Sequence, residues 1–145
     1  MSIGSWDVSG HGLSAVADFL LDSDVLIWLL RGRTETVELV ERLQKETPAA
    51  LACSALSILE VWTGVRPGEE RKTQALLESL RVVSVDASIA RRAASLLALR
   101  KRQRDPREWI DAVIAATCLE LHLTLVTYNL RDYPYRDISI YPLSN

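Results

Sequence analysis

Three acidic residues stand among apolar neighbours at distant places in the sequence. Asp22 follows the run Phe-Leu-Leu, Glu60 lies within Ile-Leu-Glu-Val-Trp, and Asp111 lies within Trp-Ile-Asp-Ala-Val. A carboxylate that is removed from water is costly unless it is paired or binds a metal ion. Oxygen ligands favour Mg²⁺ or Mn²⁺, and such ions activate water for phosphodiester hydrolysis. We therefore predict that Asp22, Glu60 and Asp111 bind a divalent cation at a hydrolytic site.

Two further polar residues, Asn129 and Asp132, follow the apolar run Leu-Thr-Leu-Val-Thr. If that run is a parallel strand, both residues lie beyond its carboxyl end, where open α/β sheets bind their ligands. We expect both to belong to the catalytic group, although Asn129 has no charge to contribute. Ser23 and Ser57 carry hydroxyl groups that could orient the neighbouring carboxylates, or could instead bond to the local backbone.

Each acidic residue also has a purely structural interpretation. Asp22 could cap the helix that follows it, because aspartate is a preferred N-cap residue. Glu60 could be paired with an arginine, and Asp111 could stabilise a helix N-terminus. Asp132 could belong to a polar turn. The catalytic interpretation therefore depends on the joint occurrence of these residues and requires that folding gather them in one place.

A basic stretch precedes Asp111, and arginine outnumbers lysine 14 to 3 in the whole chain. Its members are Arg91, Arg92, Arg100, Lys101, Arg102, Arg104 and Arg107. Arginine suits bidentate contacts with phosphate, so this stretch could form a phosphate-binding rim beside the acidic centre. The alternative is a helix face that is simply solvated.

The elements that would position these residues alternate along the chain. Apolar runs predict strands at 19–21, 49–53, 82–85, 123–127 and 138–141. Helical periodicity predicts helices that include 34–45, 54–65, 72–80, 87–100 and 109–121. This alternation predicts βαβ units, and hence an α/β fold with a mostly parallel central sheet covered on both faces.

The composition is that of one globular domain, since 48% of the 145 residues are hydrophobic and 25% are charged. The net charge of −2 argues against a protein that coats DNA through bulk positive charge. Cys53 and Cys118 are expected to be buried, reduced thiols.

The chain shows neither a signal peptide nor an apolar run of membrane-spanning length, which predicts a cytoplasmic protein. Residues 1–17 are expected to be a poorly ordered extension, and 18–145 the folded domain.

Four sequence blocks resemble, in the same order, those of PIN-domain ribonucleases. The blocks are Leu-Leu-Asp22-Ser23-Asp24-Val-Leu-Ile, Ser54-Ala-Leu-Ser57-Ile-Leu-Glu60-Val, Trp109-Ile-Asp111-Ala-Val-Ile-Ala-Ala and Leu-Val-Thr127-Tyr-Asn129-Leu-Arg-Asp132-Tyr. Each block is short, but the four in this order make a specific pattern, and the match extends over about 19–141. The chain length and the first block are most similar to the VapC-type toxins of bacterial toxin–antitoxin pairs.

This resemblance implies a three-layer α/β/α sandwich with Mg²⁺- or Mn²⁺-dependent endoribonuclease activity on RNA. It places the family's first three acids at Asp22, Glu60 and Asp111. It also implies a homodimer that is inhibited by a cognate antitoxin protein, a segment of which inserts at the site. The fourth acidic position of the family holds Asn129 here, and Asp132 could replace it, so one or two metal ions could act. Many relatives have Asp-Phe where this chain has Asp132 and Tyr133.

Several alternatives stay open at this point. A PIN-like module could bind RNA or a protein partner without cleavage, and a PIN nuclease could process RNA without being a toxin. A phosphoacceptor receiver domain is disfavoured, because it needs a lysine near the last strands and no lysine follows Leu125. A dinucleotide-binding fold is disfavoured because no Gly-x-Gly-x-x-Gly follows the first predicted strand.

Overall fold

The computed structural model describes residues 18–100 and 105–143. The extension predicted for residues 1–17 lies outside the described residues, as do Lys101, Arg102 and Arg104 of the basic stretch. The strands are β1 (Phe19–Leu21), β2 (Ala52–Ser54), β3 (Arg81–Val83), β4 (Thr124–Val126) and β5 (Ser139–Ile140). The helices are α1 (Ser23–Leu30), α2 (Thr34–Glu46), α3 (Ala55–Thr63), α4 (Glu70–Glu78), α5 (Ala87–Ala98) and α6 (Arg107–Leu121).

The five strands form one parallel sheet in the order β3-β2-β1-β4-β5. The central strand β1 pairs with β2 on one side, where Leu20 lies opposite Ala52, and with β4 on the other, where Leu20 lies opposite Leu125. The chain therefore builds one half of the sheet outward from β1 and then crosses to β4 to build the other half. The predicted parallel α/β architecture is confirmed.

Helices cover both faces of the sheet, because successive side chains of a strand point to opposite sides. Leu20 of β1 packs in a core with Ile89 of α5 and Ile114 of α6. The next residue, Leu21, packs in a second core with apolar residues of α1, α2, α3 and α4. The molecule is thus the three-layer α/β/α sandwich that the family resemblance implied.

Local hydrogen bonds explain where the element boundaries differ from the sequence prediction. The strand predicted from residue 49 begins only at Ala52, because the backbone N–H of Ala49 donates to the Thr47 hydroxyl and bends the chain. Helix α6 begins at Arg107, two residues earlier than predicted, because the Asp105 carboxylate accepts the Arg107 N–H. Such side-chain bonds to the backbone compete with regular secondary structure and are poorly encoded by hydrophobic periodicity.

Two other features bear on the predictions from composition. Cys53 and Cys118 are buried free thiols, as expected, and burial raises the pKa of each to about 12. Within 18–100 and 105–143, the helices are all too short or too polar to span a lipid bilayer.

Candidate active site

An open cavity lies beyond the carboxyl ends of β1 and β4, where the strand order switches sides. All five residues predicted from the sequence line it, namely Asp22, Glu60, Asp111, Asn129 and Asp132. This is the edge at which open α/β sheets bind ligands, because neighbouring strands lead to loops that diverge there. Folding therefore gathers on one surface residues that are up to 110 positions apart in the sequence.

Each predicted residue reaches the cavity from a different element. Asp22 directly follows β1 and precedes α1, whereas Glu60 lies near the end of α3, which packs against α1. Asp111 lies in the second turn of α6. Asn129 and Asp132 belong to the segment after β4, where 130–132 form a short 3₁₀ helix. The expectation that Asn129 and Asp132 lie beyond a strand end agrees with this placement.

Asp22 is 8% exposed, and its carboxylate accepts hydrogen bonds from several directions. Its Oδ2 accepts from the Thr127 hydroxyl at 2.8 Å and from the Tyr133 hydroxyl at 2.9 Å. Its Oδ1 accepts from the backbone N–H of Ser23 at 2.8 Å, so the side chain also caps α1. Burial raises the pKa of Asp22, and the Thr127 and Tyr133 hydrogen bonds oppose that rise.

Two serines connect α1 to Glu60. The Ser23 hydroxyl donates to Oε1 of Glu60 at 2.5 Å, and the Ser23 and Ser57 hydroxyl oxygens are hydrogen-bonded at 3.0 Å. Ser23 and Ser57 are both buried. The interpretation that these serines orient a carboxylate therefore agrees with the contacts, with Ser23 acting directly and Ser57 acting through Ser23.

Asp24 also lines the cavity, although it is absent from the predicted group. Its Oδ1 accepts from the N–H of Val25, and its Oδ2 accepts from the N–H of Tyr128 at 2.9 Å. Burial and the charge of Asp22 raise the pKa of Asp24 to about 6. The bond to Tyr128 fixes the segment after β4 against α1. Asp24 stands two residues after Asp22 in the first of the four family-like blocks, and this position could have pointed to it.

Asp111 is half-buried and faces the other acids of the cavity. Burial is the largest influence on its pKa, followed by the charges of Asp132, Asp22 and Glu60, and together they raise it to about 7. A carboxyl group in this position releases its proton reluctantly, because the product is another negative charge in an already negative, partly desolvated place. Compensation by a cation would remove that penalty.

The acids line one cavity, but their carboxylate oxygens are not arranged around a single point. Within 18–100 and 105–143, the Asp, Glu, His and Cys side chains form no group of three already arranged to hold a metal ion. The three predicted acids therefore line one cavity, but the expected convergence of their carboxylates on one ion is not found among the described residues. Hydroxyl groups hold the carboxylates of Asp22 and Glu60, and the charges of Asp132, Asp22 and Glu60 disfavour ionisation of Asp111.

Arginines stand on the rim of this acidic cavity. Arg100 and Arg107 of the predicted basic stretch line it, and Arg131 joins them from the 3₁₀ helix. Arg107 Nε also lies 3.5 Å from Oδ2 of Asp105. Arg92 does not line the cavity, and its Nε lies 3.6 Å from Oε1 of Glu120. Of the described residues, part of the basic stretch thus fits a phosphate-binding rim and part fits a solvated helix face. Arg131 was not predicted from the sequence, because it lies in a turn motif and not in a run of charged residues.

Comparison with known proteins gives consistent results. The family model described as "PIN domain" matches residues 19–137. The curated protein Ribonuclease VapC10 of Mycobacterium tuberculosis is 36% identical over 115 residues, which cover 79% of this chain and 85% of the relative. A toxin–antitoxin complex from Klebsiella pneumoniae contains a chain with a TM-score of 0.72 and 26% identity, matched over 88% of this chain and 100% of the other. VapBC2 from Rickettsia felis, bound to a promoter DNA fragment, contains a chain with a TM-score of 0.67 and 17% identity, matched over 87% and 98%.

Proposed function

The chain belongs to the PIN-domain family, and we propose on that basis that it is a metal-dependent endoribonuclease acting as the toxin of a toxin–antitoxin pair. One observation carries the proposal. Three acids that lie far apart in the sequence, Asp22, Glu60 and Asp111, line one cavity in a chain that is 36% identical to a ribonuclease. Neither the cavity nor the relative would be as informative without the other, since folds host many functions.

The donor set of the cavity suits a hard divalent cation. We propose that Asp22, Glu60 and Asp111 would hold Mg²⁺ or Mn²⁺, because their oxygens are hard ligands and their charges repel one another without a cation. Burial and, after it, this repulsion raise the pKa of Asp111 to about 7. The chemistry that the cation would supply is activation of a water nucleophile and neutralisation of charge on the phosphate.

The other residues of the cavity then have separate tasks. Arg100, Arg107 and Arg131 contact the phosphates of RNA at the rim and bring the scissile bond to the acidic centre. Ser23 holds the carboxylate of Glu60 in place. Asn129 and Asp132 complete the wall nearest β4, and we assign them to the group that contacts water or substrate. Whether one or two ions act depends on Asp132, because Asn129 cannot add charge.

The protein partners follow from the relatives. The Klebsiella chain was solved in a toxin–antitoxin complex, and this chain covers its full length. We therefore propose that a cognate antitoxin protein binds this chain and blocks the cavity. The homodimer and the cytoplasmic location expected from the sequence stay predictions of the same proposal.

RNA cleavage by the purified protein is the primary test. Structured RNA is incubated with Mg²⁺ or Mn²⁺ and the wild type, Asp22→Asn, Asp111→Asn, or the control Asp137→Asn, which removes an exposed carboxylate outside the cavity. We expect wild type and Asp137→Asn to cleave, and both cavity variants to lose at least ~100-fold in rate, because a ligand of the cation is lost. Equal cleavage by all four proteins would indicate contamination and refute the assignment.

The toxin role is tested separately in cells. Induced expression of the wild type should arrest growth, Asp22→Asn should not, and co-expression of the antitoxin encoded beside it should restore growth. Metal-dependent cleavage without growth arrest would instead favour a nuclease that processes RNA. RNA binding without cleavage under any cation would favour the non-catalytic module.

A further inference from the structure

We propose that Tyr133 is a positioning residue for Asp22: its hydroxyl group holds Oδ2 of that carboxylate and leaves Oδ1 as the oxygen that binds the cation. The inference rests on the metal-dependent nuclease proposed above and deepens it. It concerns a residue that the acidic pattern of the sequence does not single out, because tyrosine is not a metal ligand in that pattern.

Tyr133 reaches Asp22 from the interior of the protein. It directly follows the 3₁₀ helix of 130–132, is 4% exposed, and packs in the core that α5 and α6 form with the sheet. Its hydroxyl oxygen lies 2.9 Å from Oδ2 of Asp22. An ionised carboxylate can only accept hydrogen bonds, so the Tyr133 hydroxyl is the donor in this contact.

The number of hydrogen bonds to Asp22 can be compared with the number that its carboxylate can accept. An ionised carboxylate offers about four acceptor sites, two on each oxygen. Oδ2 accepts from two hydroxyl groups, those of Thr127 and Tyr133, and is therefore saturated. Oδ1 accepts from the N–H of Ser23, which leaves one acceptor site on that oxygen. Asp22 would accordingly bind a cation through Oδ1 alone.

The two donors on Oδ2 also fix the plane of the carboxylate. Thr127 follows β4 and Tyr133 follows the 3₁₀ helix, so the carboxylate is held from two segments beyond the sheet edge. Loss of either donor would let the group rotate and let Oδ2 compete for the cation. Removal of such a supporting hydrogen bond typically weakens metal binding or activity by about 10–100-fold.

The test measures Mn²⁺ binding directly, so that it does not depend on cleavage. Mn²⁺ is titrated calorimetrically into the metal-free full chain of the wild type, Tyr133→Phe and Tyr135→Phe. Tyr133→Phe removes one oxygen and keeps the ring. Tyr135→Phe is the matched control, because its hydroxyl is also buried yet accepts and donates no hydrogen bond within the described part of the chain.

We expect Tyr133→Phe to bind Mn²⁺ roughly tenfold more weakly than the wild type, and Tyr135→Phe to bind it within twofold. The Mn²⁺ concentration for half-maximal RNA cleavage should rise by the same factor, and saturating Mn²⁺ should restore most of the rate. Urea unfolding in EDTA verifies that both variants are folded. Loss of a positioning hydrogen bond need not unfold the protein.

Equal Mn²⁺ affinity of wild type and Tyr133→Phe would overturn the inference and leave the nuclease proposal intact. A wild type that binds no Mn²⁺ would overturn both. If Tyr133→Phe does not fold, Thr127→Val is titrated in its place, since it removes the other hydroxyl from the same oxygen. Unchanged affinity in that variant would equally refute the claim that hydroxyl donors on Oδ2 reserve Oδ1 for the cation.

Discussion

Asp111 shows how the acidic cavity acts on a single residue. The unperturbed carboxyl group has a pKa of 3.8, and burial together with the charges of Asp132, Asp22 and Glu60 raises it to about 7. The folded protein therefore binds this proton more tightly than the unfolded chain does. By linkage, the folded state is progressively destabilised as the pH rises from about 4 to about 7, because the unfolded chain gives up the proton first.

We predict that Asp111→Asn weakens this pH dependence. In EDTA, the free energy of unfolding of the wild type should fall between pH 5 and pH 8, and the fall should be smaller in Asp111→Asn, which has no proton to release. At pH 8 the variant should be the more stable protein, because it lacks the unfavourable charge. Urea titrations at four pH values measure this effect.

Groups whose pKa is lowered in the folded state change the stability in the opposite direction. The range from pH 5 to pH 8 avoids them. The lowered pKa of Glu69, caused first by the Arg66 backbone N–H, affects stability only at and below about pH 4.5. Asp137→Asn serves again as the control and should follow the wild type. Parallel curves for wild type and Asp111→Asn would show that Asp111 is not under electrostatic strain.

At the scale of elements, the rim is assembled from three separate pieces of chain. Arg100 follows α5, Arg107 begins α6, and Arg131 lies in the 3₁₀ helix after β4. The packing of α5 against α6 brings the first two together, and the crossing to β4 adds the third. Three arginines therefore lie beside the cavity although the net charge of the chain is −2.

We predict that Arg131→Ala weakens RNA binding because it removes an interaction with phosphate. In EDTA, which prevents cleavage, the dissociation constant for a single-stranded RNA should rise about tenfold or less, and the dependence of log K on log salt should flatten by about 0.7, since one phosphate is no longer neutralised. Fluorescence anisotropy at several salt concentrations measures both quantities.

Arg136→Ala is the matched control for this experiment. Arg136 is an exposed arginine close in sequence that lines a different cavity, beside Tyr135. Its substitution should leave the slope unchanged. The same flattening in both variants would mean that RNA binding depends on the total charge of the protein and not on the arginines at the cavity rim.

For the whole molecule, cation binding and folding should be linked. The acids of the cavity come from elements on both faces of the sheet, so the site exists only when the sandwich is assembled. A ligand that binds the folded state alone stabilises it, by about 2.7 kcal/mol at a hundredfold excess over the dissociation constant. Cation binding at the cavity should therefore stabilise the folded protein.

We predict that saturating Mn²⁺ raises the free energy of unfolding of the wild type, and more at pH 8 than at pH 6, because Asp111 must lose its proton to bind the ion. Asp22→Asn should show at most a small increase. Thermal unfolding with and without Mn²⁺ measures the effect. Equal stabilisation of wild type and Asp22→Asn would place the bound ion somewhere else on the protein.

The fold class and three acids of the cavity could be predicted from the amino-acid sequence alone, whereas Asp24, which also lines it, was not predicted. Short apolar runs that alternate with amphipathic stretches leave few options besides a parallel sheet covered by helices, because both faces of each strand must be buried. Carboxylates within apolar segments pointed to Asp22, Glu60 and Asp111, since such burial needs a compensating partner. Local patterns of this kind act over a few residues and can be read without coordinates.

The contacts between these groups, in contrast, depend on how the elements pack. The same alternation fits several strand orders, and it is the pairing of β1 with β4 that brings Thr127 and Tyr133 to Asp22 across more than 100 residues of sequence. The bond from Ser23 to Glu60 likewise requires α1 to pack against α3. Hydrogen bonds depend on distances of a few tenths of an ångström between elements, and hydrophobic periodicity carries no information at that precision.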